Sequence, residues 1–125
     1  MLDMMNVKKI FLYTNDDKKR EAIEKLCTLH KIRSCRLTPA DLNRTVSEIC
    51  NVPMAVKREH KPAPVLYAMP EIMLFFGVDN AQLETFLDAY NAAGIESIKR
   101  KAVVTPTNLG WTLYELMEEL GKEGD

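Results

Sequence analysis

Two Thr-Pro steps, Thr38-Pro39 and Thr105-Pro106, carry the residue types in this sequence that are best suited to bind an anion. A threonine before a proline favours the start of a helix, because the hydroxyl caps free backbone N–H groups and proline fits the first helical position. A helix start presents those N–H groups together with a positive dipole end, and both attract anions. The sequence therefore predicts that each step begins a helix and is a candidate anion site.

Polar side chains close to the second step add possible contacts for such an anion. Lys101 precedes Thr105 by four residues, and Asn108 follows it by three. Capping alone is the simpler explanation of both steps, and it contributes about 1 kcal/mol at each helix. The candidate ligand-binding residues are Thr38, Thr105, Thr107, Asn108 and Lys101.

Trp111 and Tyr114 form a second candidate surface, in the last predicted helix. Their spacing of three residues places both side chains on one flank of that helix. An exposed Trp-Tyr pair would favour a partner or dimer surface, because these residues are enriched in binding hot spots. The alternative is that the two rings widen the buried face of the helix, since large aromatic side chains are mostly buried.

Recognisable catalytic and metal-binding patterns are absent from the sequence. Cys27 and His30 share one helix face, but the other cysteines and His60 lie in unrelated segments, so we predict no metal site. Asp16 and Asp17 are adequately explained by helix capping. No glycine-rich phosphate loop, nucleophile elbow or His-Glu-x-x-His motif occurs, so the sequence predicts neither catalytic residues nor a cofactor.

Composition favours one ordinary globular domain over the whole chain, residues 1–125. The chain is 46% hydrophobic, which is enough for a core, and its formal net charge of −1 disfavours nucleic acid as a partner. Three widely spaced cysteines fit reduced thiols better than a disulfide framework. The amino terminus has no long apolar segment and no later run reaches membrane-spanning length, so we expect a cytoplasmic protein with no membrane partner.

An internal repeat organises the chain. The stretch 104–116 repeats the stretch 37–49, with matching Thr, Pro, Leu, Thr and Glu in the same order. The predicted halves are residues 7–50 and 71–121, joined by a proline-rich connector at 51–70 that contains a basic run from Lys57 to Lys61. A four-residue insertion near 99–102 distinguishes the second half.

Each half is predicted to be strand, helix, strand, helix. Helical crossovers favour parallel strands, so we expect an α/β fold with one mostly parallel four-stranded sheet, packed helices and a pseudo-twofold axis between the halves. The connector is expected to add a short edge strand near Val65-Leu66-Tyr67. The predicted strands are 10–13, 32–37, 72–76 and 102–104, and the predicted helices are 17–30, 80–93 and one after each Thr-Pro step.

The second half resembles a known family. The runs from Gln82 to Tyr90 and from Lys101 to Asn108, followed by Trp111-Thr112, are similar to the bacterial domain of unknown function 3783 family. The first half resembles the amino-terminal region of longer members, with Thr38 to Asp41 at the corresponding helix start. The resemblance implies a bacterial cytoplasmic protein and brings no activity, substrate or cofactor.

These observations lead to three functional hypotheses. The first is a small non-enzymatic binding or regulatory module that contacts a protein or a small ligand near the Thr105 helix start and Trp111. The second is a small enzyme or anion sensor that uses a cleft where Thr38 and Thr105 meet. The third is a structural homodimer that pairs through an exposed sheet edge.

Overall fold

The computed structural model describes residues 7–54 and 59–123 of the chain. The amino-terminal segment considered above and two residues of the basic run, Lys57 and Arg58, lie outside these ranges. Within the described ranges, no helix combines the length and the apolar character that crossing a membrane requires.

The described residues fold into four strands and four α-helices, which confirms the predicted α/β class. Short 3-10 helices at Pro39–Asp41 and Asn108–Gly110 precede the second and fourth α-helices. The elements in chain order are β1 (Lys9–Tyr13), α1 (Asp17–Leu29), β2 (Arg33–Arg36), α2 (Val46–Ile49), β3 (Ile72–Phe76), α3 (Asn80–Ala92), β4 (Arg100–Val103) and α4 (Leu113–Glu123).

The four strands form one mixed sheet in the order β2-β1-β3-β4. The outer pairs, β1 with β2 and β3 with β4, are parallel as expected, whereas the central pair β1 and β3 is antiparallel. A helical crossover within each half requires parallel strands, but the connector leaves the direction of β3 free. The expectation of a mostly parallel sheet therefore holds within each half and fails at the junction.

The two halves have matching element boundaries. β1 and α1 recur 63 positions later as β3 and α3, and β2 recurs 67 positions later as β4. The centre of the β1–β3 ladder pairs Phe11 with Leu74, which occupy the same place in their strands. These boundaries are compatible with the predicted repeat, and the pseudo-twofold axis itself stays a prediction.

Alternating side chains along the central strands divide the core between the two faces of the sheet. Ile10 and Phe75 face α1 and α3, whereas Phe11 and Leu74 face the segments that contain α2 and α4. Because successive side chains of a strand point to opposite faces, four consecutive apolar residues in β3 can all be buried. One sheet thus supports two separate helix layers.

The helices that follow β2 and β4 differ from the prediction. The Thr38 step begins only a 3-10 helix, and the Thr105 step leads into a turn before the 3-10 helix Asn108–Gly110. The helices α2 and α4 start seven residues beyond the steps, after Thr45 and Thr112. A Thr-x-x-Glu capping box stands at each of these positions. The Thr45 hydroxyl accepts from the backbone N–H of Glu48 at 3.2 Å, and the Glu48 carboxylate accepts from the backbone N–H of Thr45 at 3.0 Å.

The connector contains a turn where an edge strand was expected. The backbone N–H of Tyr67 donates to the carbonyl of Pro64 at 3.1 Å, which closes the turn around Val65 and Leu66. Prolines at 62 and 64 lack the N–H groups that a ladder requires. The Tyr67 ring then packs edge-on against Tyr114 with centroids 4.9 Å apart, so the connector lies along α4.

A buried lysine links the two halves at one end of the central strands. Lys19 is 6% exposed, and its ammonium lies 2.9 Å from the Glu71 carboxylate and 3.1 Å from the Ser97 carbonyl oxygen. Glu96 lies 3.5 Å away, and the Thr14 hydroxyl donates to Glu71. Because a buried charge is costly unless it is paired, this cluster holds α1 against the start of β3.

Candidate functional site

Thr38 was a candidate anion-binding residue, and in the structure it caps its own turn. Its hydroxyl accepts from the backbone N–H of Ala40 at 3.3 Å, and its own backbone N–H donates to the Asp41 carboxylate at 2.9 Å. Asp41 also forms an ion pair with Arg44 at 2.9 Å. The carboxylate therefore occupies the anion position that this helix start offers.

Thr105 has the same arrangement, with an amide in place of the carboxylate. The Thr105 backbone N–H donates to Asn108 Oδ1 at 2.9 Å, and its hydroxyl accepts from the Asn108 backbone N–H at 3.2 Å. Asn108 Nδ2 donates to the Val103 carbonyl at 3.0 Å, and the Lys101 ammonium donates to the Ile98 carbonyl at 2.7 Å. Thr107 is exposed and makes no capping contact through its side chain.

The two Thr-Pro steps do not come together. Thr38 follows β2 and Thr105 follows β4, which are the two outer strands of the sheet. Three strand spacings separate these strands, a distance of about 14 Å. The antiparallel central pair also makes β2 and β4 end at opposite ends of the sheet. The steps therefore lie diagonally apart, and the expected cleft between them does not form.

Thr45 of the first half and Thr112 of the second half form an antiparallel bridge. Beside it, the Val46 backbone N–H donates to the Trp111 carbonyl at 2.8 Å, and the Leu113 backbone N–H donates to the Arg44 carbonyl at 2.9 Å. Each bond joins the residue after one threonine to the residue before the other. This junction fixes the starts of α2 and α4 relative to each other.

Two glutamates and a histidine surround this junction. Glu115 completes the α4 capping box, because its Oε1 accepts from the Thr112 backbone N–H at 2.9 Å. The same oxygen lies 2.9 Å from His60 Nδ1, and Oε2 accepts from the Lys61 backbone N–H at 3.3 Å. Glu115 therefore fastens the connector to the start of α4.

The corresponding glutamate of the first half, Glu48, lies on α2. Hydrogen bonds from the backbone N–H and the hydroxyl of Thr45 hold the pKa of the Glu48 carboxyl below its ordinary value, and the positive charges of Arg44 and His60 act in the same direction. His60 is therefore close to both capping carboxylates.

A groove of about 680 Å³ opens beside this cluster, and we call it the His60 groove. The Glu115 carboxylate at Nδ1 orients the His60 imidazole, so Nε2 is the nitrogen left for contacts with a ligand. Histidines that act as general bases or metal ligands are often oriented in this way. Ser47 lies at the edge of this groove but is 2% exposed, and its hydroxyl bonds that of Thr45 at 2.9 Å. The lining residues are Arg44, Thr45, Ser47, Glu48, Asn51, Val52, Pro53, Met54 and His60.

Trp111 and Tyr114 have different environments, although both were predicted to share one flank. Tyr114 is buried under Tyr67, as the alternative interpretation expected, whereas Trp111 is half-buried. A groove of about 280 Å³ opens beside Trp111, and we call it the Trp111 groove. It is lined by Lys61, Trp111, Tyr114, Glu115, Glu118, Glu119 and Lys122.

The thiols of Cys27 and Cys50 are poorly suited to reactive chemistry, because both are buried. All three are free thiols, and burial raises the pKa of Cys27 to about 12 and that of Cys50 to about 11. A protonated thiol is a poor nucleophile and a poor metal ligand. Within residues 7–54 and 59–123, no group of three or more His, Cys, Asp and Glu side chains is placed to hold a metal ion.

The sequence contained a signal for the junction that our prediction missed. Thr45-Val46-Ser47-Glu48 and Thr112-Leu113-Tyr114-Glu115 are both Thr-x-x-Glu capping boxes at the same place in the repeat. Recognition of these motifs would have moved both helix starts to their observed positions. His60 had no such signal, because its partner Glu115 lies 55 residues away in the chain.

Comparison with known proteins identifies the second half of the chain. Residues 71–124, which include β3, α3, β4 and α4, match the family described as Domain of unknown function (DUF3783). Searches of curated proteins and of solved structures found no match to the chain. The matched range covers less than half of the chain and contains Trp111, Thr112 and Glu115, so the segment 71–124 is similar to the domain of unknown function 3783 family.

Proposed function

We propose that this protein is a non-enzymatic binding module that contacts a partner protein through the Trp111 groove. The observation that carries the proposal is the position of Trp111, which is partly exposed and is held by backbone hydrogen bonds on both sides. Its N–H donates to the Asn108 carbonyl at 3.0 Å, and its carbonyl accepts from Val46. A pre-positioned tryptophan loses little conformational entropy on binding, which is typical of an interface anchor.

The charges around Trp111 favour a partner segment with a basic residue beside an apolar anchor. Glu118 pairs with Lys61 at 3.1 Å, and Glu119 pairs with Lys122 at 3.3 Å. Such exposed pairs contribute only about 0–1 kcal/mol each, so a partner cation can replace either lysine at little cost. Three glutamates and two lysines line the groove, which leaves an acidic excess.

Site-specific photo-cross-linking tests this proposal. A photoreactive residue is placed at Lys122 inside the groove or, as a matched control, at Lys25 on the exposed side of α1. We expect one discrete protein adduct from position 122 in native cells, lost in a Trp111→Ala background and kept in Trp111→Phe. The same adduct from position 25, or an adduct that survives Trp111→Ala, would contradict the proposal.

The His60 groove supports a second candidate function, a small-ligand sensor. Its specific support is the His60–Glu115 pair at 2.9 Å beside a groove that also contains Arg44. A thermal-shift screen against small acids and phosphates tests it, because a ligand that binds only the folded state raises stability by about 2.7 kcal/mol at a hundred times its dissociation constant. A stabilising ligand should lose its effect in His60→Gln, and an unchanged shift in that variant would place the ligand elsewhere.

The outer strands argue against a homodimer that pairs through an exposed sheet edge. β2 and β4 have four residues each and carry cationic side chains, namely Arg33, Arg36, Arg100 and Lys101. Short, charged outer strands oppose edge-to-edge pairing. A cytoplasmic location and a bacterial origin stay predictions, and the free thiols of Cys27, Cys35 and Cys50 are compatible with a reducing compartment.

A further inference from the structure

A groove of about 670 Å³ lies at the end of the sheet where β1 begins, and we call it the Lys9–Arg33 groove. It shares one wall, Asn51 to Pro53, with the His60 groove. Its floor is one row of the sheet, because Phe76 pairs with Lys9 and Lys9 pairs with Arg33. Residues paired in this way project to the same face, with neighbouring side chains about 5 Å apart. The row therefore places an aromatic ring and two cations side by side.

The two cations of this row have no counter-ion among the described residues. Neither Lys9 nor Arg33 forms an ion pair there, and no carboxylate lines the groove. In contrast, Arg36 of the same strand pairs with Glu24 at 3.3 Å. Adjacent like charges across a sheet are unfavourable, so an anion that lies between Lys9 and Arg33 would relieve their repulsion.

The wall of the groove is mostly apolar. It is formed by the chain segment that follows α2, including Cys50, Val52 and Pro53. The positive charge of Lys9 partly opposes the rise that burial produces in the pKa of Cys50, which indicates that the ammonium lies on this side of the sheet. A bound molecule would thus meet two positive charges at one side and an apolar surface at the other.

In the second half, the corresponding place is covered by residues of the connector and α4. Arg100 begins β4 as Arg33 begins β2, and the space beside Arg100 is lined by Tyr67 and Glu118. The difference follows from helix length, since α4 has 11 residues and α2 has only four. One arginine therefore has an aromatic ring and a carboxylate beside it from the chain itself, and the other faces an open groove.

We propose that the Lys9–Arg33 groove binds a small organic anion. The anionic group, a phosphate or a carboxylate, bonds Lys9 and Arg33, while an apolar body lies against Phe76, Val52 and Pro53. The volume of the groove falls within the range of ordinary small-molecule sites. The site is distinct from the Trp111 groove, because the two share no lining residue.

Titration of the full chain with defined probes tests this proposal. Phenyl phosphate and benzoate distinguish the two anionic groups, inorganic phosphate lacks the apolar body, and benzyl alcohol lacks the charge. Backbone amide NMR shifts report the site through Lys9, Arg33 and Phe76, which line this groove and not the His60 groove. We expect saturable binding of at least one aromatic anion at millimolar or lower concentration, with markedly weaker binding of inorganic phosphate and benzyl alcohol.

Charge-removing variants identify the residues responsible. Because a charge-assisted contact is lost, Arg33→Gln and Lys9→Gln should each weaken binding of the aromatic anion by about fivefold or more. Lys25→Gln removes the same charge from the exposed side of α1 and should leave binding unchanged. The proposal is overturned if neither aromatic anion binds below about 10 mM, if Lys25→Gln weakens binding as much as Arg33→Gln, or if the shifted amides lie elsewhere.

Discussion

Thr45 and Thr112 lie opposite each other in an antiparallel bridge, and each begins an α-helix in its own half of the chain. The hydroxyl of each threonine accepts from the backbone N–H of a glutamate three residues later, at 3.2 Å in both cases. Two capping boxes are thus placed back to back where the halves meet. Several contacts at this junction can be tested separately.

Removal of either capping hydroxyl should destabilise the protein. Thr45→Ala and Thr112→Ala are each expected to lower the free energy of unfolding by about 1–2 kcal/mol, because a backbone N–H group loses its partner. Urea denaturation measures the loss. The controls Thr45→Ser and Thr112→Ser keep the hydroxyl and should lose less. Since the two residues are in contact, the double alanine variant should depart from the sum by about 0.5 kcal/mol or more.

Glu115→Gln should loosen the connector as well as the helix start. The carboxylate accepts from Thr112, His60 and Lys61, and a neutral amide cannot replace all three bonds. We expect a loss of about 1–3 kcal/mol and faster hydrogen exchange of the Lys61 backbone amide, which would lose its acceptor. Glu119→Gln, which removes only an exposed pair with Lys122, should cost no more than about 0.5 kcal/mol. Equal effects of the two variants would show that Glu115 does not anchor the connector.

The buried thiol of Cys27 should make the protein less stable at high pH. Burial raises its folded-state pKa to about 12, above the ordinary value of 9.0. Above pH 9 the unfolded chain therefore ionises first, so stability is fully present below that pH and falls as the pH rises towards 12. At about pH 10.5 the expected loss from this group is about 2 kcal/mol.

Comparison of wild-type protein with Cys27→Ala isolates this contribution. The difference in unfolding free energy between about pH 8 and about pH 10.5 should be smaller in the variant by about 2 kcal/mol. Ile23→Val, a core substitution on the same helix that removes no titratable group, serves as the control and should keep the wild-type difference. If Cys27→Ala lost as much stability as wild type over this range, other groups would govern the response.

Gly77 and Gly94 should respond differently to the same substitution. Both have positive φ angles, 74° and 70°, which cost a residue with a Cβ about 1–2 kcal/mol. A Cβ at Gly77 would also lie 2.6 Å from the Val7 carbonyl oxygen, whereas nothing lies within 4 Å of one at Gly94. Thermal unfolding should therefore show a larger loss for Gly77→Ala than for Gly94→Ala. Equal losses would mean that the chain at Val7 moves aside easily.

Sequence patterns predicted the first part of each half closely. The helix expected at 17–30 is observed at Asp17–Leu29, and the helix expected at 80–93 is observed at Asn80–Ala92. Both begin after a capping aspartate, Asp16 or Asp79, and both bury a regular apolar stripe. The second part of each half was predicted less well, because each Thr-Pro step and the Thr-x-x-Glu box seven residues later compete as helix starts.

The sequence by itself determined the α/β class, the order of strands and helices, and the capping residues, because hydrogen bonding between neighbours and the spacing of apolar residues are local properties. Tertiary structure alone decided the antiparallel direction of β3, the meeting of Thr45 with Thr112 and the separation of Thr38 from Thr105. It also placed Lys9, Arg33 and Phe76 in one row. These relationships join residues far apart in the chain, so they depend on the path of the connector and on the two-sided burial of the sheet.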